Sequence, residues 1–206
     1  MKTLLTLIVM WWISGAVYAQ HGDHHHHDHT AMQASEQIPE QSLYHLRGEW
    51  TSHRGEQFLL SEFSGSPLVI VMFYGNCTDV CPILIQDAWR LYSSVGENMR
   101  EEVNVLAVTF DTENDTPESL MEYARYEQLN IDGWHFVTAS PATVRQLATA
   151  LGVEYRKRSD GMYDHSNLVT VVGPDGVVGA RVEGLGRPME VAARVLEEFI
   201  TEKQLP

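Results

Sequence analysis

The chain has 206 residues, with 14 Lys and Arg against 28 Asp and Glu, and a formal net charge of −14. This length predicts one domain with a short appendage, and 44% hydrophobic residues suffice for a core of its own. Because an acidic surface repels phosphates, nucleic-acid binding is not expected. Two cysteines are too few for a scaffold built on disulfides, so they are free for chemistry.

The N-terminus is predicted to be an export signal that covers residues 1–19. A positive start at Lys2 precedes an uncharged apolar run at 4–13, and Ala19 is a small residue typical of a cleavage site. The alternative is an uncleaved anchor, although a membrane span needs ~20 apolar residues. In both cases we expect a periplasmic protein, soluble or anchored to the inner membrane, in a compartment where cysteine pairs can be oxidised.

A histidine-rich leader at 20–37 follows, and its polar composition predicts disorder. It holds six of the ten histidines: His21, His24, His25, His26, His27 and His29. Imidazoles interspersed with carboxylates suit Cu(II) or Zn(II), so the leader is predicted to be an auxiliary metal site. The alternatives are a solvated low-complexity tail or a purification tag.

Residues 38–206 are predicted to form one α/β domain. Continuous apolar runs predict strands, and apolar residues spaced every three or four positions predict helices. In chain order the predicted elements are a buried central strand at 68–74, a helix after Pro82, a strand at 103–110, a helix from Pro117 capped by Thr116, a strand at 134–138, a helix from Pro141 ended by Gly152, a hairpin of strands at 168–172 and 177–182, and a last helix from Pro188. Such alternation gives a layered α/β fold.

The two cysteines lie where α/β folds place their functional sites. Cys77 and Cys81 follow the buried strand and open the next helix, with three residues between them. The positive end of the helix favours thiolates, so both thiols are expected to ionise more readily than a free cysteine. On one helix face their Cα atoms would lie ~6.2 Å apart, within the roughly 4.4–6.8 Å range of disulfides. The pair can therefore act as a dithiol, a disulfide or part of a metal site.

Two thiolates leave a metal site incomplete, so a third ligand is expected from elsewhere in the chain. Four histidines lie outside the leader: His45, His53, His135 and His165. His135 falls in a predicted strand, and His165 falls in a polar segment, 161–167, that is predicted to be a loop before a strand. Spacing does not choose among the four.

Charged residues near these elements have two readings each. Asp79 is predicted to be a carboxylate at a helix N-terminus rather than a ligand. Asp111 and Asp115 follow a strand end and are expected to shape a docking loop, or else only to turn and cap the chain. The basic run at 156–158 is expected to be a solvated loop or a docking patch.

Four motifs, in order along the chain, resemble those of one protein family. Residues 77–82 (Cys-Thr-Asp-Val-Cys-Pro) resemble its C-x-x-x-C-P, and residues 111–117 (Asp-Thr-Glu-Asn-Asp-Thr-Pro) resemble its D-x-x-x-D-T-P. Residues 164–166 (Asp-His-Ser), followed by Pro-Asp-Gly at 174–176, resemble its last two motifs. The chain is thus similar to the Sco (SenC) family of thioredoxin-like copper-binding assembly proteins.

This resemblance implies a thioredoxin-like fold, with a central mixed sheet flanked by helices, an N-terminal extension and a late β-hairpin. It also implies that Cys77, Cys81 and His165 bind one copper ion. These donor types suit both Cu(I) and Cu(II), and the spacing of the two cysteines allows a redox disulfide. Asp164 is expected to orient the His165 ring through a hydrogen bond, or else to be only an acidic residue of a turn.

The resemblance implies a metallochaperone rather than an enzyme. Its expected action is to deliver copper to, or to prepare, the dinuclear copper site of cytochrome c oxidase, with the copper-accepting subunit as partner and the membrane nearby. One alternative is a thiol-disulfide oxidoreductase of thioredoxin type acting on client cysteines. Another is a periplasmic copper buffer or sensor. His165 discriminates between the first two, because dithiol exchange does not need it.

Overall fold

The computed structural model describes residues 40–203. The predicted signal peptide at 1–19 and the histidine-rich leader at 20–37 therefore lie outside the described residues. No helix between residues 40 and 203 is both long enough and apolar enough to cross a bilayer.

The strands of this part of the chain form two sheets. Their bounds are β1 Glu49–Ser52, β2 Gln57–Leu59, β3 Leu68–Phe73, β4 Asn104–Thr109, β5 Trp134–Ala139, β6 Tyr155–Lys157, β7 Tyr163–His165, β8 Leu168–Val172 and β9 Val178–Glu183. Seven strands form one sheet in the order β2-β1-β5-β4-β3-β8-β9, and β6 pairs with β7 in a separate sheet. Because β3, β4 and β5 are parallel while β1 and β8 are antiparallel to them, the predicted mixed sheet is confirmed.

Helices pack against this sheet. Their bounds are α1 Cys81–Ser94, α2 Glu97–Arg100, α3 Pro117–Tyr126, α4 Pro141–Leu151 and α5 Glu190–Lys203. α1 and α5 contact each other and β8, whereas α3 and α4 contact β5. All six residues of β3 are buried, as predicted for a central strand covered on both faces.

The predicted helix ends are confirmed at α3 and α4. The Thr116 hydroxyl accepts a hydrogen bond from the Ser119 N–H, and the Ser140 hydroxyl accepts one from the Thr143 N–H. A proline occupies the first turn of each helix, where it costs no hydrogen bond. α4 ends at Gly152, whose φ of 76° lies in the left-handed region that glycine adopts without strain.

The prediction of a loop before β8 is wrong. Residues 163–165 form β7, which pairs antiparallel with β6 so that Tyr155 lies opposite His165. Both strands have three residues and are half exposed, so neither carries the buried apolar run from which strands are recognised. The His165 backbone is therefore held by a hairpin.

Candidate metal centre

The site forms at the edge of the sheet where the parallel strands β3 and β4 end. The Phe110 N–H, just beyond β4, donates to the carbonyl of Phe73, the last residue of β3, over 3.0 Å. The chain then runs from β3 through residues 74–80 into α1, which begins at Cys81. Because neighbouring parallel strands have their carboxyl ends at the same edge of a sheet, the cysteine loop and the segment after β4 lie side by side.

Cys77 lies in the loop before α1 and not on the helix. Its Sγ accepts a hydrogen bond from the Cys81 N–H at 3.3 Å. The Cys77 sulfur thus accepts a hydrogen bond at the N-terminus of α1, because Val80 at the cap position has no side-chain acceptor. The expectation of two cysteines on one helix face is therefore wrong, and the ideal-helix distance does not apply. Both cysteines are buried free thiols.

The two thiols differ in acidity, so the expectation that both ionise readily is wrong for one of them. Burial opposes ionisation of Cys77, but hydrogen bonds from the Cys81 thiol and from the N–H groups at the start of α1 outweigh it and lower its pKa. Burial raises the pKa of Cys81, and its hydrogen bond to Cys77 raises it further. Cys77 is thus the more acidic of the two thiols, and Cys81 is the less acidic one.

His165 completes a group of three metal-binding side chains. Its Nε2 lies 3.6 Å from the Cys81 Sγ, although the two residues are 84 positions apart in the chain. One donor atom from each of Cys77, Cys81 and His165 lies within 4.8 Å of the others. Two sulfurs and one imidazole nitrogen suit a soft ion such as copper. The structure thus brings together the three residues that the resemblance implied.

A backbone carbonyl sets the orientation and the tautomer of the His165 ring. Its Nδ1 lies 3.0 Å from the Ser166 carbonyl oxygen. Because a carbonyl only accepts, Nδ1 carries the proton, and in the neutral ring Nε2 then presents a lone pair to the cysteines. Asp164, expected to orient the ring, instead pairs with Arg156 at 2.8 Å. Its side chain is half exposed, on the strand face opposite to the ring.

The other described histidines are not part of this group. His53 is buried, with its Nε2 3.2 Å from the Asn130 side-chain oxygen and its Nδ1 accepting from the Phe136 N–H. The His135 Nε2 lies 3.2 Å from the Asn104 side-chain oxygen. His45 is exposed in a short 3₁₀ turn that precedes β1. His53 and His135 therefore belong to the packing of the sheet.

Asp115 stabilises the start of the cysteine loop. Its carboxylate accepts hydrogen bonds from the Gly75 N–H, at 2.8 Å, and from the Thr109 hydroxyl. A Cβ on Gly75 would lie 2.6 Å from this carboxylate, so the close approach requires glycine. Burial raises the pKa of Asp115. Its action is structural, and Asp79 lies exposed two residues before α1.

The basic run at 156–158 is neutralised by acidic neighbours. Besides the Arg156 pair, Lys157 pairs with Glu113 at 2.9 Å and Arg158 pairs with Asp160 at 2.8 Å. Exposed ion pairs of this kind contribute little stability each. The run is therefore no unpaired basic patch, and it links the β6–β7 hairpin to the segment after β4.

Aromatic residues that the sequence reasoning did not single out surround the His165 ring. Its centroid lies 5.1 Å from that of Phe110 and 6.1 Å from that of Tyr74. Tyr163 packs against both, at 5.0 and 5.2 Å. Tyr74 and Phe110 each follow directly after a central strand, and this position was the signal available in the sequence.

Comparisons with known proteins identify the family. The SCO1/SenC family model matches residues 38–200. A Stutzerimonas stutzeri protein whose name refers to copper binding is 30% identical over 112 residues, 52% of this chain and 53% of that protein. The SCO1 protein homolog of Bacillus subtilis is 27% identical over 128 residues, 60% of this chain and 65% of that protein. The chain thus spans less than two thirds of the length of these relatives.

A solved structure shares the fold. Bradyrhizobium japonicum ScoI, solved with copper bound, aligns with a TM-score of 0.59 and 24% identity over 74% of this chain and 96% of that chain. The fold is accordingly thioredoxin-like, with the cysteine loop at the end of its central strand. Since the family model extends over most of the chain, including both cysteines and His165, the chain belongs to the SCO1/SenC family.

Proposed function

We propose that this chain is an exported copper-binding protein that holds one copper ion on Cys77, Cys81 and His165. We further propose that it delivers this ion to, or prepares, the dinuclear copper site of cytochrome c oxidase. The observation that carries the proposal is the approach of the three donor atoms to within 4.8 Å of one another. Family membership and the copper-bound relative support it.

The chemistry of the donors fits a copper ion that is carried and released. Thiolates favour Cu(I), and imidazole accepts both Cu(I) and Cu(II), so one site can hold both oxidation states. Hydrogen bonds lower the pKa of Cys77, and His165 presents its lone pair without rearrangement. A bound cation would supply the positive charge that the buried Cys81 thiol needs in order to ionise.

His165 also lies where a partner protein can reach it. It lines an open groove of about 810 Å³ between α4 and the β6–β7 hairpin, together with Arg145, Thr149 and Tyr155. The groove gives a partner protein a surface next to His165, while the two buried cysteines do not line it. This position supports the copper-accepting oxidase subunit, or another copper client, as partner.

A thiol-disulfide oxidoreductase is the second candidate function. The opposite shifts of the two cysteine pKa values favour it. Cys77 has the lowered pKa expected of an attacking thiolate, and Cys81 has the raised pKa expected of the resolving thiol. In such a reaction the two thiols lose two electrons and two protons to a client disulfide, which is reduced to a dithiol. This exchange does not require His165 as a ligand.

The His165→Ala variant tests the copper proposal. We expect Cu(I) affinity to fall by at least ~10-fold, the scale on which perturbation of a metal site is felt. Competition with a chromophoric Cu(I) chelator measures this on the reduced full-length protein, in a background where the six leader histidines are replaced by asparagine. Sulfur-to-copper charge-transfer absorption of the Cu(II) form should change as well.

The His45→Ala variant is the matched control, because His45 is exposed and distant in sequence from all three donors. It should bind copper as the parent does. Unchanged affinity and absorption in His165→Ala would show that the third ligand is wrongly assigned and would favour the oxidoreductase. One ion per chain in the parent, lost together with His165, would favour copper handling.

We also propose that the leader is an auxiliary site for Cu(II) or Zn(II), on the strength of its six histidines within nine residues. Titration of the full-length protein with Cu(II) should then give more than one equivalent per chain. The asparagine-substituted leader should lose the extra equivalents and keep the one at the cysteines. Equal stoichiometry in the two proteins would contradict an auxiliary site.

A further inference from the structure

We propose that Asp111 is a positioning residue for copper binding, which holds His165 at the cysteines through a hydrogen bond to Tyr163. This inference rests on the proposed function, because it concerns the third ligand of the same site. Asp111 is the first acidic residue after β4, and it contacts none of the three donors in the described structure.

The hairpin that carries His165 needs such an anchor. β6 and β7 pair only with each other, and the seven-stranded sheet that leads to the cysteines does not include them. Ladder hydrogen bonds therefore fix the hairpin internally but do not fix it relative to α1. The two-residue link 166–167 joins β7 to β8 of the large sheet, and the remaining restraint on the distance between the His165 Nε2 and the Cys81 Sγ comes from side chains that bridge the two parts.

Tyr163 is well placed to form that bridge. It lies two residues before His165 on β7, and alternate residues of a strand point to the same face. Both rings pack on Tyr74 and Phe110, at centroid distances between 5.0 and 6.1 Å. Ring packing brings the two faces together, but it restrains them less tightly than a hydrogen bond, because aromatic pairs are stable over centroid distances of roughly 4.5–7 Å.

The directional contact comes from Asp111. Its carboxylate accepts a hydrogen bond from the Tyr163 hydroxyl at 3.1 Å and another from the Asn114 side-chain amide at 2.8 Å. Its own N–H donates to the Thr109 hydroxyl, at the end of β4. Asp111 is 3% exposed and is tied directly to the large sheet. A hydrogen bond to a buried, fixed carboxylate restrains both distance and angle, which ring packing does not.

One further contact acts in the same direction. The Lys157 ammonium, on β6, lies 3.7 Å from the Asp111 carboxylate and 2.9 Å from that of Glu113. Its side chain is 40% exposed, so this ion pair is screened and restrains the hairpin less than the Tyr163 contact does. Asp111 therefore contacts both strands of the hairpin, β6 through the Lys157 ion pair and β7 through the Tyr163 hydrogen bond.

The Tyr163→Phe variant isolates this contact, because it keeps the ring and removes only the hydroxyl. We expect Cu(I) affinity to fall by ~3- to 10-fold, the range of one hydrogen bond. Nitrogen hyperfine coupling in the electron paramagnetic resonance spectrum of the Cu(II) form should weaken or become heterogeneous, while the thermal midpoint stays close to that of the parent. Asp111→Ala should reproduce the spectroscopic change.

The decisive measurement is a double-mutant cycle with His165→Ala, in the full-length protein with the substituted leader. If Tyr163 acts through the ligand, Tyr163→Phe should cause no further loss of affinity once His165 is gone. Tyr155→Phe is the matched control, a tyrosine of the same hairpin whose ring stacks on Phe110 at 5.0 Å, and it should leave the spectrum unchanged.

The outcomes separate this inference from the proposed function. A loss in His165→Ala without any loss in Tyr163→Phe would overturn the positioning by Asp111 and leave the copper site in place. A loss in Tyr163→Phe that persists unchanged in the His165→Ala background would also overturn it. If neither variant changes affinity, it is the assignment of the third ligand that fails.

Discussion

Replacing Cys81 with serine should abolish copper binding at the cysteine site while leaving the fold intact. Cys81 is fully buried and contacts both other donors: its N–H donates to the Cys77 Sγ, and its Sγ lies 3.6 Å from the His165 Nε2. A hydroxyl is a hard and very weakly acidic donor, which Cu(I) does not select. Loss of a ligand's hydrogen-bond partner alone costs ~10- to 100-fold in metal affinity, so loss of the ligand itself should exceed 100-fold.

Cu(I) competition in the substituted-leader background measures the Cys81→Ser effect without interference from the histidine-rich segment. The introduced hydroxyl can donate to the His165 Nε2, so it does not leave an unsatisfied polar group in the core. Urea denaturation of the metal-free protein supplies the control for folding. Near-normal Cu(I) affinity in this variant would place the ion away from the cysteine loop and contradict the assigned centre.

His135 should make the protein markedly less stable in acid. Burial lowers its pKa from 6.5 to about 4, because a charged ring packed against Phe58 and Phe63 would lose its hydration. The unfolded chain binds a proton at this histidine below pH 6.5, while the folded chain resists it until about pH 4. Stability is therefore full above pH 6.5 and decreases as the pH falls from 6.5 towards 4. At pH 4.5 the loss should reach about 2–3 kcal/mol.

The His135→Gln variant tests this pH dependence, since glutamine is neutral throughout and can still donate to the Asn104 side-chain oxygen. Its free energy of unfolding in urea should be close to that of the parent at pH 7.5 and higher than that of the parent at pH 4.5. The difference should persist in 0.5 M salt, because the cause is desolvation and not long-range repulsion. Burial lowers the pKa of His53 in the same direction, so some acid sensitivity should remain. Parallel pH profiles of the two proteins would contradict the prediction.

Long apolar runs and capping patterns made most of the fold predictable from sequence. β3, with six consecutive buried residues, and the helices that follow Thr116 and Ser140 carry strong local signals. β6 and β7 carry no such signal, because three-residue strands outside the main sheet are stabilised by the tertiary contacts of Tyr155 and Tyr163. Local propensity is a weak guide where packing decides the conformation.

The three residues of the candidate site were predictable from the sequence, but the pKa shifts of its cysteines were not. Residue order and motifs point to Cys77, Cys81 and His165 through a family resemblance, since no local pattern links residues 84 positions apart. The opposite shifts of the two cysteine pKa values were missed, because they depend on how deeply each sulfur is buried and on which N–H groups point at it. The sequence also did not predict that the Ser166 carbonyl, and not Asp164, orients His165. Every residue has a carbonyl, and the sequence does not say which one faces a ring.

That carbonyl has a consequence for redesign of the centre. The acceptor that fixes the His165 tautomer belongs to the main chain of Ser166, while the Ser166 hydroxyl accepts from the Glu154 N–H. Any amino acid at position 166 brings the same acceptor, so single substitutions there can alter the link between β7 and β8 without changing the tautomer of the His165 ring. A substitution at position 166 therefore leaves the proton on the His165 Nδ1. Only a change in the path of the backbone, such as an insertion or deletion in β7, would move it to the Nε2.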